Sequence, residues 1–263
     1  MKPEEFESFL RETAPRLGYR WRPLNRRNIR RKIQRRMDSL RIRDPGLYRD
    51  RVLADPAERI LLESLFRVTI SRFFRNVSVW QDLRQVILEE VTCIPSRGLS
   101  AWCAGSAGGE EPYSLAMLLM SMEEEGEIGP SWKVVGTETH DISLVRAREG
   151  AYQWGSIREV PERMRERWFV RVGEDWILSD DVKGRVLLLR RDLLRDPPPD
   201  RCHLVLLRNS ILTYNTEDSC MQVLAGIRGC LEAPGLLVIG RTETLPGAAG
   251  FERVRKCIYR KRS

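Results

Sequence analysis

The feature that most constrains the fold is the stretch from Leu99 to Met120, where a short apolar run breaks into a glycine-rich loop and resumes with helical spacing. The loop spans Gly105–Gly109 and leads into Glu110, Glu111 and Pro112. This pattern predicts a buried strand, a tight turn and a helix N-terminus. Such a turn brings backbone and unpaired N–H groups close to a ligand. A nucleotide-like ligand and an ordinary strand–helix turn both stay open, because the dinucleotide fingerprint and the P-loop lysine are missing.

Further apolar runs follow at the spacing of an α/β sheet. Trp132–Glu138 predicts a second strand, and in this fold class an acid at its end, here Glu138, bonds ribose hydroxyls. The remaining strands are predicted at Val186–Leu189, His203–Leu207, Leu236–Ile239 and a closing hairpin over Phe251–Val254 and Cys257–Arg260. We therefore expect an α/β domain over residues 77–263, preceded by a helical domain over residues 1–76.

Residues 26–43 predict a basic amphipathic helix. Ile29, Ile33 and Met37 recur on one face, and the rest is almost entirely cationic. The cationic face is either a solvated surface or a docking surface for an acidic partner. No nucleic-acid motif or aromatic interleaving accompanies it, so we rank an acidic protein substrate above nucleic acid as the partner.

The composition narrows the class of protein. The net charge is +8, and six cysteines show no C-x-x-C spacing, which favours free thiols in a reducing cytoplasm. The sequence holds two histidines, His140 and His203, and its cysteines lack metal-ligand spacing, so no metal site is expected. No run approaches the roughly 18 apolar residues of a membrane span, and the N-terminus lacks a signal sequence. We expect a cytoplasmic protein without a membrane span.

A run of aromatic residues precedes the α/β domain. Phe73 and Phe74 are followed directly by Arg75. Paired phenylalanines are ordinarily core residues, but a guanidinium held by aromatic packing is preorganised to bind a carboxylate.

Ordered motifs extend over residues 25–260. They are Ser71 with Phe73–Arg75, Trp102 with Ala104 and Gly109–Ser114, Thr137–Glu138, Ala147–Arg148 with Gly150 and Tyr152, Asp192–Leu194, Arg208–Asn209 and Ile239–Glu243. In this order the chain resembles the CheR-type S-adenosylmethionine-dependent glutamate methyltransferases of bacterial chemotaxis. The resemblance implies a Rossmann-like class I methyltransferase sheet, mostly parallel with an antiparallel last strand. It also implies S-adenosylmethionine as the cofactor and S-adenosylhomocysteine as its product.

The chain departs from the family pattern at a few places. Ala107 and Gly108 replace the family's loop serine and threonine, which removes two hydroxyl contacts to the cofactor. Thr213 stands where the chemotaxis enzymes carry a tyrosine, with Tyr214 one place on. Residues 152–185 look short for the β-subdomain by which some members grip a receptor tail peptide.

The resemblance implies how the cofactor is held. The glycine loop, starting at Gly105, lies along the methionyl part, and Glu110 or Glu111 binds its ammonium group. Glu138 takes the ribose hydroxyls. Asp192 accepts from the adenine amine, and Leu193 packs on the ring. The remaining cofactor-binding residues implied are Thr69, Ser71, Arg75, Arg208 and Asn209.

The same resemblance implies the catalytic residues. Arg75 holds a carboxylate of the cofactor or the acceptor, and Asn209 and Tyr214 flank the transferring methyl group. Three functions stay open. The first is methyl transfer to a protein glutamate, the second is methyl transfer by the same fold to a small-molecule or other acceptor, and the third is a non-catalytic cofactor-sensing or docking module. Retention of Arg75, Glu138 and Asn209 argues against the third.

Overall fold

The computed structural model describes residues 1–14, 16, 26–66, 71–90, 98–247 and 250–262. The chain forms two compact units. The first comprises Met1–Val68 together with Thr213–Ser219, and the second comprises Thr69–Leu212 and Cys220–Ser263.

The first unit is helical. Its N-terminal helices are α1 (Pro3–Thr13), α2 (Arg26–Ser39), α3 (Pro45–Ala54) and α4 (Pro56–Phe66). Their core contains Phe6, Phe9, Leu10, Ile33, Met37, Tyr48, Val52 and Leu62. Beside this core the buried carboxylate of Glu58 accepts from the Arg36 Nε and Nη2 at 3.0 and 2.7 Å and from the Tyr48 hydroxyl at 2.9 Å. A buried carboxylate that is paired in this way keeps the interior polar groups satisfied.

The basic helix is shorter than the residues 26–43 expected from the sequence. It ends at Ser39, where the N–H of Leu40 donates to Arg36 and the N–H of Ile42 donates to Met37. Arg41 between them has a left-handed backbone with φ of 57°. This reversal satisfies the last carbonyls of the helix and stops it before the Asp44–Pro45 turn.

The second unit is built on a mostly parallel sheet. From Val77 onward the elements in chain order are α5 (Val77–Glu90), β1 (Leu99–Ala104), α6 (Glu110–Glu124), β2 (Trp132–Glu138), α7 (Asp141–Glu149), β3 (Ala151–Gln153), α8 (Trp154–Ile157), α9 (Glu162–Trp168), β4 (Phe169–Val172), β5 (Asp175–Leu178), α10 (Asp180–Gly184), β6 (Val186–Arg190), β7 (Cys202–Leu207), α11 (Ile211–Tyr214), α12 (Glu217–Cys230), β8 (Leu231–Ile239), β9 (Phe251–Arg253) and β10 (Ile258–Lys261). All belong to the second unit except the end of α11 and the start of α12, which lie in Thr213–Ser219. Within the described ranges seven strands pair in the order β6-β2-β1-β7-β8-β10-β9. The pairs from β6 to β8 are parallel and those of β10 are antiparallel.

Both faces of this sheet are buried, as expected when helices cover a parallel sheet on each side. In β1, Ala101 and Cys103 pack into one apolar layer, and the intervening Trp102 packs into the other. In β7, Leu206 and Leu207 divide in the same way. The predicted class I methyltransferase fold, with its antiparallel closing hairpin, is confirmed.

A second, small sheet forms within residues 151–178. Its order is β3-β5-β4, and both pairs are antiparallel. Phe73 contacts its base, with its ring edge-on to Tyr152 at 4.7 Å and to Phe169 at 5.2 Å. This region, which looks short for a β-subdomain in the sequence, therefore holds three short strands.

The segment from Ser71 to Asn76 packs on the α/β unit. The N–H of Phe73 donates to Ser156 at 2.9 Å, and the N–H of Phe74 donates to Ser114 Oγ at 2.9 Å. The expected domain boundary lies after residue 76, whereas the compact units divide between Val68 and Thr69. The reason is that the two phenylalanine side chains are buried in the α/β core rather than among the helices of the first unit.

The cysteines at positions 103, 202, 220, 230 and 257 are buried, and none of these five forms a disulfide. Among the described helices, none combines the length and the apolar character that crossing a bilayer requires.

Candidate active site at the carboxyl ends of the strands

The glycine loop docks on the end of the neighbouring strand. The N–H groups of Gly105 and Ser106 both donate to the carbonyl of Thr137, at 3.0 and 2.8 Å. Trp102 holds the same residue by donating from Nε1 to Thr137 Oγ1 at 2.9 Å. The loop ends at Gly109, whose left-handed backbone precedes the first residue of α6. The strand, turn and helix therefore lie where the sequence predicts them.

Gly105 lies where the ends of β1, β6 and β7 meet. A Cβ atom built on it would lie 3.2 Å from the Cβ of Ser210 and 3.9 Å from the Cδ1 of Leu193. Ser210 follows β7, and Leu193 follows β6. With φ of +87°, Gly105 also has a backbone conformation that other residues rarely adopt. The loop thus leaves space between three strand ends, which is where open α/β sheets bind their ligands.

Glu138 is the half-buried acid at the end of β2. Its Oε2 accepts from the N–H of Ala107 at 2.9 Å, and its Oε1 accepts from Thr139 and His140 at 2.9 and 3.1 Å. A carboxylate offers about four lone-pair sites, so these bonds leave roughly one for a ligand. Glu138 therefore fixes the glycine loop and retains some capacity to accept from a hydroxyl.

Glu110 is fully buried at the start of α6. Its Oε1 accepts from Arg146 Nη2 at 3.0 Å, and Arg146 lies over the ring of Tyr152 at 5.6 Å. Tyr152 in turn donates its hydroxyl to the carbonyl of Gly108 at 2.7 Å. Burial raises the pKa of the Glu110 carboxyl, and the positive charge of Arg146 opposes this rise. These contacts join the small sheet to the glycine loop.

Glu111 forms a second buried ion pair. Arg208, which follows β7 and has a side chain 2% exposed, donates from Nη1 to Glu111 Oε2 at 3.1 Å and lies over the ring of Trp80 at 5.3 Å. Its Nη2 donates to the carbonyl of Arg75 at 2.6 Å. Burial raises the pKa of Glu111 to about 7, against the lowering effect of Arg208. The pair links α5, α6 and the end of β7.

The backbone around these groups is strained. Four residues have φ between 46° and 61°, a left-handed conformation that costs energy in residues other than glycine. They are Phe74, Asn76, Ala107 and Asn209. Strain of this kind persists where the surrounding structure enforces it, and it concentrates at functional sites. Two of these residues flank Arg75, and Asn209 is itself a predicted site residue.

Several buried polar atoms in this region have no hydrogen-bond partner within the described residues. They are the Ser106 and Ser210 hydroxyls, Oε2 of Glu110, Oε1 of Glu111 and Nε of Arg208. Leaving such an atom unpaired costs about 1–3 kcal/mol, so a cluster of them marks a surface that a ligand completes. Carboxylate oxygens and hydroxyls suit a ligand that carries an ammonium group and hydroxyls. This donor set fits S-adenosylmethionine.

The other predicted residues lie as follows. Asp192 lies in the turn after β6, where its Oδ1 accepts from Leu194 at 2.9 Å. Ser71 is half-buried in the second unit, and Tyr214 is half-buried in the segment assigned to the first unit. Thr69 lies outside the described residues. The expected roles of these residues stay predictions.

Some residues of the site have no role in the sequence-based interpretation. Ser106 lies one place before the two lost loop hydroxyls, and Ser210 directly follows the matched Asn209. Arg146 lies at the end of a helix with ordinary charged residues around it. Only its tertiary contacts identify Arg146. For Ser106 and Ser210, the position beside the motifs is a signal available in the sequence.

This chain is similar in sequence to known proteins. The model of the family described as CheR methyltransferase, SAM binding domain, matches residues 69–259. A chemotaxis protein methyltransferase of Listeria monocytogenes is 31% identical over 219 residues, which cover 82% of this chain and 79% of that protein.

Two further similarities differ in their coverage. A 104.1 kDa protein of Rhodobacter capsulatus is 26% identical over 219 residues, 82% of this chain, and the chain spans 23% of that protein's length. A solved structure of a TehB-like SAM-dependent methyltransferase from Corynebacterium glutamicum is 14% identical, with a TM-score of 0.39 and coverage of 72% of this chain and 97% of that chain. With the family model matching most of its length, this chain belongs to the CheR methyltransferase family and is an S-adenosylmethionine-dependent methyltransferase.

Proposed function

We propose that the chain transfers the methyl group of S-adenosylmethionine to the side-chain carboxylate of a glutamate in another protein. The observation that carries this proposal is the fixed position of Arg75. Its carbonyl accepts from Arg208 at 2.6 Å and from Trp80 Nε1 at 3.2 Å, and both flanking residues have left-handed backbones. Arg75 itself is half-buried, and within the described residues its guanidinium forms no ion pair, although its charge helps to lower the pKa of Glu111. A planar guanidinium of this kind suits an acceptor carboxylate.

The cofactor-holding residues follow from the contacts around the glycine loop. Glu138 keeps a lone-pair site for the ribose hydroxyls, and a buried oxygen of Glu110 or Glu111 accepts from the ammonium group. Asp192 and Leu193, at the turn after β6, hold the adenine. Ser71, Arg208 and Asn209 complete the cofactor pocket, and Thr69 belongs to the same set by the family pattern. The hydroxyls of Ser106 and Ser210 replace those missing at positions 107 and 108.

The bound cofactor supplies an electrophilic methyl group, so the chain's own work is binding, orientation and exclusion of water. Arg75 holds the acceptor carboxylate. Asn209 and Tyr214 flank the methyl group. An ionised carboxylate is already nucleophilic, so the residues at the strand ends need to move no proton. This accounts for a site rich in arginine and glutamate.

The acceptor class is tested with cofactor that carries a tritiated methyl group. The protein is incubated with lysate fractions, and we expect label in protein bands that is released by mild base, as carboxyl methyl esters are. The matched control is Arg75→Ala, which should still bind S-adenosylhomocysteine but lose at least about 90% of the labelling, roughly a tenfold effect. Base-stable label would contradict a carboxylate acceptor, and label confined to small molecules would contradict a protein acceptor.

We also propose that the acidic protein substrate docks on α2. Arg30, Arg31, Gln34 and Arg35 line a groove of about 440 Å³ together with Met1. Arg31, Lys32 and Arg35 are exposed on this helix. A carboxylate-rich segment is the complementary partner. The buried cysteines outside disulfides fit a site of action in the reducing cytoplasm.

Replacing Arg30, Arg31 and Arg35 together by glutamine is expected to raise KM for the acidic protein substrate about tenfold, because three exposed pairs contribute roughly 0.2–1 kcal/mol each. The turnover number kcat should not change, and the increase in KM should shrink at high salt. Lys133→Gln, Arg201→Gln and Arg253→Gln together form the control with the same change in charge. If both triple variants raise KM equally, net charge rather than this groove governs binding.

A further inference from the structure

Glu243 is a buried carboxylate just after β8, with 6% of its surface exposed. Its Oε2 accepts from the N–H of Gly240 at 2.7 Å and from the N–H of Asn209 at 2.9 Å. The first bond lies within the turn from Gly240 to Glu243. The second crosses to the end of the adjacent strand β7. One oxygen atom therefore ties together the loops that follow two neighbouring strands.

The bond reaches Asn209 at a backbone of uncommon conformation. Its φ of 55° is left-handed, which asparagine adopts more often than most other residues but which stays uncommon outside glycine. A Cβ atom on Gly240 would lie 2.7 Å from Asn209 Nδ2 and 2.5 Å from Glu243 Oε2. The amide of Asn209 thus occupies space that a glycine leaves open. Any larger residue at position 240 would displace the amide or the carboxylate.

We propose that Glu243 is a positioning residue that holds Asn209 in its left-handed conformation and so places the Asn209 amide for methyl transfer. The inference rests on the proposed function, in which Asn209 flanks the methyl group. Glu243 acts through the Asn209 backbone, because its carboxylate accepts from that N–H rather than from the side-chain amide.

The negative charge of Glu243 also raises the pKa of Glu111, an effect that is separate from its hydrogen bonds. The groups that face Glu111 are Arg208 and Arg75, which lower its pKa, and Glu243, which raises it, with the buried thiol of Cys103 beside them. A glutamine at position 243 keeps an oxygen that accepts the two N–H groups but removes the charge. An alanine removes both. The two substitutions therefore separate the geometric effect from the electrostatic one.

Two readouts that require no methyl acceptor test this role. Hydrogen exchange at the Asn209 N–H should be slow in the wild type and in Glu243→Gln, and at least about tenfold faster in Glu243→Ala, because the alanine variant lacks the acceptor. Carbon NMR of labelled glutamate should show the Glu111 carboxyl titrating at lower pH in Glu243→Gln than in the wild type. Glu252→Gln, with its exposed side chain on β9, is the control and should leave both readouts unchanged.

Steady-state methylation kinetics test whether this positioning affects catalysis. Glu243→Ala should lower kcat by roughly 10–100-fold through misplacement of Asn209, and Glu243→Gln should recover most of that loss. Because Asn209 also belongs to the proposed cofactor pocket, the Kd for S-adenosylhomocysteine should rise in Glu243→Ala by a smaller factor than kcat falls, and Glu243→Gln should restore it. Unchanged exchange at Asn209 in Glu243→Ala, or failure of glutamine to rescue a folded protein, would overturn the positioning role. If the acceptor proves not to be a carboxylate, the exchange and NMR results still decide the role of Glu243.

Discussion

Replacing Arg208 by methionine is expected to lower the free energy of unfolding by about 3–5 kcal/mol at pH 8, because it leaves Glu111 as an unpaired buried charge. The side chain of Arg208 is 2% exposed, and its two terminal nitrogens bind Glu111 and the Arg75 carbonyl. The substitution also removes the guanidinium that lies over the Trp80 ring.

The cost should depend on pH. In the folded protein the pKa of Glu111 is raised from 4.5 to about 7, chiefly by burial. The folded state therefore binds more protons than the unfolded chain between about pH 4.5 and 7, and this group's contribution to stability is lost as the pH rises through that window. At pH 5 the carboxyl is mostly protonated, so the penalty of Arg208→Met should be smaller than at pH 8.

Urea unfolding at both pH values measures the effect. Arg208→Met combined with Glu111→Gln should recover most of the loss at pH 8, because the second change removes the unpaired charge. Arg201→Met, at an arginine 74% exposed, is the control and should lie within about 0.5 kcal/mol of the wild type. A cost below about 1 kcal/mol for Arg208→Met would show that the buried pair contributes little.

Glu138→Ala is expected to weaken binding of S-adenosylhomocysteine about 100-fold, or roughly 2.7 kcal/mol. Two effects combine. The ligand loses a charged acceptor for its ribose hydroxyls, which contributes about 1.5–3 kcal/mol. The glycine loop also loses the bond that Glu138 accepts from the Ala107 N–H.

Calorimetry of the wild type, Glu138→Ala and Glu138→Gln tests this prediction. Glutamine should weaken binding by about tenfold, since its amide keeps one acceptor oxygen and turns the other into a donor. Asp141→Asn, at a carboxylate 68% exposed nearby, is the control. Circular dichroism confirms that each variant is folded. Equal affinity of the wild type and a folded Glu138→Ala would remove Glu138 from the cofactor site.

The sequence predicts the large sheet well because its strands are buried on both sides and read as continuous apolar runs. β1, β2 and β7 each end at the polar residues that define the site, so local pattern and tertiary position agree. The small sheet escapes such a prediction, because β3, β4 and β5 are only three or four residues long. Strands of that length show too little periodicity to separate them from loops.

Some residues of the site are likewise predictable from the sequence and others are not. Glu138 and Arg208 are predictable because they follow apolar runs within recognisable motifs. The contacts of Arg146 and Glu243 are not, because each depends on a partner 34 or more residues away that only folding brings close. The end of α2 at Ser39 likewise depends on the left-handed backbone of Arg41. An arginine does not indicate such a backbone in a sequence, as a glycine would.

The bonds between the small sheet and the glycine loop have a thermodynamic consequence. Tyr152 of β3 donates to Gly108, and Arg146 contacts both Glu110 and Ser156. We expect a ligand that orders the loop to reduce, through these bonds, the entropy that a second ligand would lose in ordering the small sheet. Because coupling free energies are reciprocal, a ligand of the small sheet would then strengthen binding at the loop by the same factor.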